Sequence, residues 1–255
     1  MKRCTPRLGA ALTALSVLAL GATTASADVP SFSRCPVGAP NLSSCLVAQS
    51  TGGSIGANRN SVNVGTSVKI EGGVAQDPDT HQFTFVPPAS GPALTGTPVV
   101  VSNNLFGTGL PFSLNTLTAQ IQQVGAITYD YSTFSFTAPI RIKFSNPLLG
   151  TNCAIGSTAA PITLNLTTDI TDPPPPNQPI FGDQGSISRP AGLILESDDV
   201  IDVDNAYAVP AASNCGAVAP ATVTKAINKQ LGLPSPAGTN TATITNNVYV
   251  GHTPS

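Results

Sequence analysis

Apolar and polar residues alternate along most of this chain, and a period of two restricts it to extended strands. The clearest run is 139–145, where Ile140, Ile142 and Phe144 fall on one side and Arg141 and Lys143 on the other. Phe83 and Phe85 alternate in 82–86 until Pro87-Pro88 stops them. Residues 61–70, 129–137, 162–166, 193–195, 200–203 and 241–250 read the same way, and 98–102 is a short apolar run. Many short strands separated by turn residues predict a mainly β fold, an antiparallel β-sandwich-like domain.

Three stretches depart from this pattern or blur it. Pro220 opens 221–231, where Val223, Ile227 and Leu231 lie four apart, and Gly232 then Pro234 close it. Proline in the first turn and glycine past the last punctuate a helix, so one short C-terminal helix is predicted. In 114–124, Leu114, Leu117, Ile121 and Val124 fit a helical stripe. Leu117, Ala119 and Ile121 equally fit a strand with Thr116, Thr118 and Gln120 facing out, and the strand is preferred. The segment 172–179 carries four consecutive prolines, Pro173 to Pro176, which favour polyproline II and end any strand. It is either a linker between domains or a rigid crossover within one. The stretch 180–255 beyond it is poor in large apolar side chains for a core of its own, so 28–255 reads as a single β-rich domain.

Residues 1–27 have the form of a cleaved secretory signal peptide. Lys2, Arg3 and Arg7 precede an apolar run over 8–20, and Thr24-Ala25-Ser26-Ala27 supplies the small-residue cleavage site. The run is shorter than the roughly 20 residues that span a bilayer. No later stretch approaches it, so a secreted, extracellular protein without a membrane span is expected. Cleavage removes Cys4 and leaves Cys35, Cys45, Cys153 and Cys215, an even set that reads as two disulfides in an exported chain. Four cysteines allow three pairings. Cys35 with Cys45, across the turn-rich 36–44, and Cys153 with Cys215, across the prolines, is preferred; the second bridge would staple the crossing into one domain. Cleavage also removes three of the 11 basic residues and none of the 13 acidic ones, which leaves a net charge of −5. That balance disfavours nucleic acid or an anionic membrane surface as partner.

Candidate chemistry is sparse. Five acids fall in ten residues over 196–205: Glu196, Asp198, Asp199, Asp202 and Asp204. In a strand Asp202 and Asp204 share a face while Val203 turns to the core. Repulsion between neighbouring carboxylates would be relieved by calcium held by Asp198, Asp199, Asp202 and Asp204, with Asn205 adding its amide oxygen. The spacing is not that of an EF-hand loop; the competing reading is a solvated acidic edge that keeps the sheet from pairing with others. Beyond this possible calcium no cofactor is expected. His81 follows the turn-like Asp77-Pro78-Asp79-Thr80, and His252 lies near the end. No Gly-x-Ser-x-Gly elbow accompanies them, so both read as surface residues. Glu71, Asp130 and Glu196 are possible members of a glycosidase carboxylate pair. Tyr129 and Tyr131 share a strand face and could stack on sugars, although the chain has no tryptophan. The loop 103–112 is glycine-punctuated and holds Leu105, Phe106, Leu110 and Phe112, a contact patch if exposed.

Residues 139–155, Pro-Ile-Arg-Ile-Lys-Phe-Ser-Asn-Pro-Leu-Leu-Gly-Thr-Asn-Cys-Ala-Ile, followed by 161–168, the proline run, 209–216 and 231–237, resemble a functionally uncharacterised group of exported actinobacterial proteins. The resemblance covers about the C-terminal half. It implies export and a shared fold with the Cys153 and Cys215 positions, and it carries over no catalytic residue and no substrate. Low charge, Thr- and Asn-rich strands and disulfides point to a non-enzymatic module, envelope-associated, adhesive or structural, with a cell-envelope component as partner. The alternative is a secreted hydrolase acting on glycan or ester substrates, which would need two acids, or His81 with a Ser and an Asp, to converge in a cleft.

Overall fold

The computed structural model describes residues 29–58, 60–102, 111–130 and 133–254. The predicted signal peptide, Tyr131 and most of the 103–112 loop lie outside the described residues. In chain order the elements are β1 (Leu42–Ala57), β2 (Asn60–Asn63), β3 (Val68–Gln76), β4 (Phe83–Val86), β5 (Leu94–Gly96), β6 (Val99–Ser102), α1 (Phe112–Asn115), β7 (Leu117–Gln123), β8 (Thr128–Asp130), β9 (Ser135–Ser145), β10 (Ala154–Ile155), β11 (Ile162–Leu166), β12 (Ser186–Ser188), β13 (Leu193–Asp204), β14 (Ala212–Ser213), α2 (Pro220–Leu231) and β15 (Ala242–Gly251).

The strands form two antiparallel sheets. The first runs β12-β13-β15-β1-β3-β4, with β2 also on β1 and β5 also on β3. The second runs β14-β10-β9-β7-β6, with β8 and β11 also on β9. Strands from beyond the prolines, β13 and β15, thus lie in the same sheet as β1 and β3. The alternation read from sequence sets the inner faces: Ile140, Ile142 and Phe144 of β9 point inward, while Arg141 and Lys143 are half-buried on the outside. They meet Leu46, Ile70 and Ile244 of the facing sheet in one core, each contributing roughly 1.5–3 kcal/mol of transfer free energy.

The region 114–124 resolves as the strand β7, preceded by the single turn α1. The sequence suggests a break at Pro139, yet β9 passes straight through it. The Pro139 carbonyl accepts the Val124 N–H beyond the end of β7, and β8 begins only opposite Thr137. The missing proline N–H therefore falls in a gap between two partner strands and costs no ladder bond.

The sheets also meet along their edges. On one side Thr167, just after β11, exchanges two backbone hydrogen bonds with Val203 of β13, at 3.0 and 2.9 Å. On the other, Gln120 and Gln123 of β7 reach β5: Gln120 Nε2 donates to Gly96 O at 2.7 Å and Gln123 Oε1 accepts the Leu94 N–H at 2.9 Å. Gly53 follows a bulge at Thr51 in β1 and has φ 103°, and a Cβ there would strike the Thr243 carbonyl of β15.

Both preferred disulfides form, Cys35–Cys45 and Cys153–Cys215. The first clasps the N-terminal segment onto the start of β1. The second joins the turn before β10 to the turn before α2, where Thr224 of the helix bonds both the N–H and the carbonyl of Cys215 at 3.0 Å. Asn228 does the same for Ala212, at 2.7 and 3.0 Å, so its amide imitates a neighbouring strand at the edge of β14. The helix matches its sequence signals, with Pro220 in its first turn and Gly232 closing it at φ 67°. The proline run forms the tip of an antiparallel excursion in which Ile170 pairs with Phe181. Asn177 pins it by donating to Asn205 O and Asn240 O, both at 2.8 Å.

Candidate functional site

The acidic run lies on β13 and is turned over by a bulge. Ser197 faces Val248 of β15, but three residues on it is Val200 that faces Asn246, only two positions along the partner. One extra residue in β13 switches every later side chain to the other face. Asp199, at φ 57° and exposed, absorbs the irregularity, and its N–H is held by Asn247 Oδ1 at 3.1 Å. Asp202 and Asp204 then lie opposite Ile244 and Ala242, both core residues. The face expected from sequence is thus corrected: Asp202 and Asp204 point between the sheets, and Val203 is buried on the opposite side.

Each inward acid has a partner. Asp204 Oδ2 accepts the Asn165 N–H of β11 at 2.7 Å, and its Oδ1 accepts the Ala206 N–H at 2.8 Å. Burial pushes its carboxyl above the ordinary value, and those two N–H groups oppose the shift. Asp202 is 1% exposed. Its Oδ2 accepts a 2.7 Å hydrogen bond from Asn246 Nδ2, and its Oδ1 makes none. Loss of solvation pushes its pKa up to about 7, and the Asn246 amide only partly counters this. Asp198 is half-buried opposite Ser186 of β12. Asp198 and Asp199 therefore stand at the bulge and Asp202 and Asp204 inside. Among the described residues no three His, Cys, Asp or Glu side chains gather as a metal site.

The other carboxylates are scattered. Glu71 receives Lys69 Nζ at 2.9 Å and Arg34 Nη1 at 3.1 Å on the outer face of the first sheet. Arg34 also donates to Pro92 O at 2.6 Å, which fastens the N-terminal segment across that face. Glu196 shares this face, but the row Glu196, Tyr249, Val47, Glu71 places it three strands away from Glu71, roughly 14 Å at the usual strand spacing. A glycosidase pair needs about 5–10 Å. Asp130 belongs to the other sheet.

His81 is exposed at φ 58° at the end of a turn whose Asp77 carboxylate accepts the N–H groups of Asp79 and Thr80. Those bonds, the Thr80 N–H foremost, hold Asp77 below its ordinary pKa. His252 is exposed as well. Tyr129 is buried, its ring 6.4 Å from that of Phe136, so it offers no platform to a sugar. No helix among the described residues is long and apolar enough to cross a membrane.

Sequence reading missed a cavity of about 270 Å³ at one end of the molecule. Its floor is built by Ile55 of β1, Ile142 and Phe144 of β9, and Ile162 of β11; Leu231 of α2 and Leu233 wall it. The helix end is held there by the β1–β2 turn, through Asn58 Nδ2 donating to Gly232 O at 2.7 Å. The half-visible signal was the α2 stripe, because an apolar stripe does not say which opening it covers. No known protein family, no curated protein and no solved structure matches the chain. The geometry therefore offers two features: carboxylates locked inside a framework, and an apolar cavity apart from them.

Proposed function

We propose that this chain is a secreted, non-catalytic module that works by contact with the cell envelope. The observation that carries this reading is that three of the buried acids, Glu71, Asp202 and Asp204, are committed to partners within the fold. Glu71 anchors Arg34 and Lys69, Asp204 caps the free edge of β11, and Asp202 is held by Asn246. The outer faces meanwhile offer neutral hydroxyls and amides, Thr137 and Asn165 on one sheet and Thr243, Thr245 and Asn247 on the other. Such groups suit hydrogen-bonded contact with hydroxyl- and amide-bearing polymers. Two disulfides accord with an oxidising, extracellular compartment, and the resemblance of the C-terminal half to exported actinobacterial proteins points the same way; the bridge between Cys153 and Cys215 across the prolines supports one domain over 28–255.

One observation favours the hydrolase alternative. A carboxyl that keeps its proton near pH 7, as Asp202 does, is in the state a general acid needs. Its seclusion from solvent argues against that role. The test is to incubate the mature chain with isolated envelope material and, separately, with glycoside and ester substrates. Sedimentation with the envelope and no turnover is expected. Failure to sediment overturns the envelope role, and turnover that disappears in Asp202→Asn overturns the non-catalytic one.

A further inference from the structure

The cavity beside α2 has the chemistry of a ligand site. Its floor and walls are aliphatic or aromatic, drawn from both sheets, and no ionisable side chain is among its described lining residues. Among the described residues its rim is polar and uncharged, with Asn60 and Ser61 of β2 and Gln230 of α2 exposed there. A concave, mostly apolar site with a few polar groups at its rim is the usual form of a small-molecule site. A second observation lies in the helix itself. Val223, Ile227 and Leu231 form an apolar stripe packed against the core, yet no residue of α2 is fully buried. The helix is held in place by Thr224, Asn228 and its capped end, and of its stripe Leu231 in the last turn lines the cavity and remains half-covered there.

We propose that this cavity binds the single apolar chain of an amphiphile whose head group is uncharged. The chain lies along Ile55, Ile142 and Phe144 and completes the burial of Leu231. The head, a hydroxyl, ester or amide, exchanges hydrogen bonds with Asn60, Ser61 and Gln230. A carboxylate or phosphate head meets no cationic partner among those groups and loses its hydration uncompensated. This site is independent of envelope contact and would stand if that role failed.

The test uses the mature chain, 28–255, and the neutral fluorescent probe N-phenyl-1-naphthylamine. Probe emission rises on binding, and 1-dodecanol or glycerol monolaurate displaces it at about tenfold lower concentration than laurate does. Equal displacement by laurate overturns the uncharged head, and no enhancement overturns the site. Ala57→Phe, which fills the cavity, and Val62→Glu, which puts a charge into it, weaken the probe by about tenfold or more, with far-ultraviolet circular dichroism unchanged. Full binding in both overturns the location. If either variant fails to fold, amide exchange of the wild-type chain with and without 1-dodecanol decides. Slowing confined to 55–62, 101–102 and 230–233 is expected, and slowing elsewhere or none overturns the proposal.

Discussion

Strands β9 and β13 both line the space between the sheets, and they do so by different rules. Strand β9 keeps strict alternation over eleven residues and sends Phe136, Ala138, Ile140, Ile142 and Phe144 inward. Strand β13 changes face at Asp199 and sends Val200, Asp202 and Asp204 inward. An acid is accepted there because sequence-distant groups meet it: Asn246 of β15 for Asp202, and the unpaired edge of β11 for Asp204. The difference teaches that the inner face of this fold tolerates a carboxylate where a donor awaits it.

The harshest way to break that contrast is to place an acid on β9. Ile140 is 1% exposed and surrounded by core. Ile140→Asp is expected to cost roughly 4 kcal/mol or more, enough to abolish cooperative folding. Urea unfolding followed by circular dichroism checks it, and a variant with a wild-type midpoint would show that the inner face accepts acids generally.

The disulfides sharpen the comparison by sheet. Cys153–Cys215 closes 62 residues beside β9 and β10, whereas Cys35–Cys45 closes 10 residues at the start of β1. Loop-closure entropy gives about 4.3 kcal/mol for the longer loop and about 2.7 for the shorter. Replacing both cysteines of each pair by serine should therefore lower the urea midpoint more for 153/215. The reverse order would mean that the N-terminal clasp holds more of the fold than chain entropy credits.

Asp202 itself supplies the next effect. Its folded carboxyl keeps a proton up to about pH 7, against the ordinary 3.8. Between those values the folded chain binds more protons than the unfolded one, so this group's contribution is full below about pH 4. It falls as pH rises and is lost above the folded pKa. Asp202→Asn removes the titration and preserves a partner for Asn246. It is expected to gain roughly 1–3 kcal/mol at pH 8 and to flatten the profile between pH 5 and 7. Parallel pH profiles for the two proteins would show that Asp202 is not the buried proton.

How far the chain could be read in advance depends on the same contrast. The inward face of β9, the punctuation of α2 and both cysteine pairings rest on local spacing, and local spacing is what a sequence displays. The face of Asp202 depended on one extra residue near Asp199, and nothing in Ser-Asp-Asp-Val marks a bulge over a regular strand. Asn246 was visible as an amide at an inward position of β15, but its partner is 44 residues away. The cavity was least legible, since Ile55, Ile142 and Leu231 each satisfy their own element's pattern and converge only through topology.

The smallest expected effect concerns calcium. This cation seeks six to eight oxygen ligands, and the four aspartates do not offer a common shell. Both oxygens of Asp204 already accept backbone N–H groups. Asp202 has one unpartnered oxygen, but it is 1% exposed and faces the core. Asp199 is exposed at the bulge, just before the chain turns its acids inward. Calcium at about 5 mM, a concentration that fills even weak extracellular sites, is therefore expected to leave the melting temperature unchanged. A rise abolished by Asp202→Asn would put an ion between the sheets and make β13 a metal strand. A rise abolished only by the joint change of Asp198 and Asp199 to Asn would place it at the bulge, on the side of β13 that the contrast with β9 leaves in water.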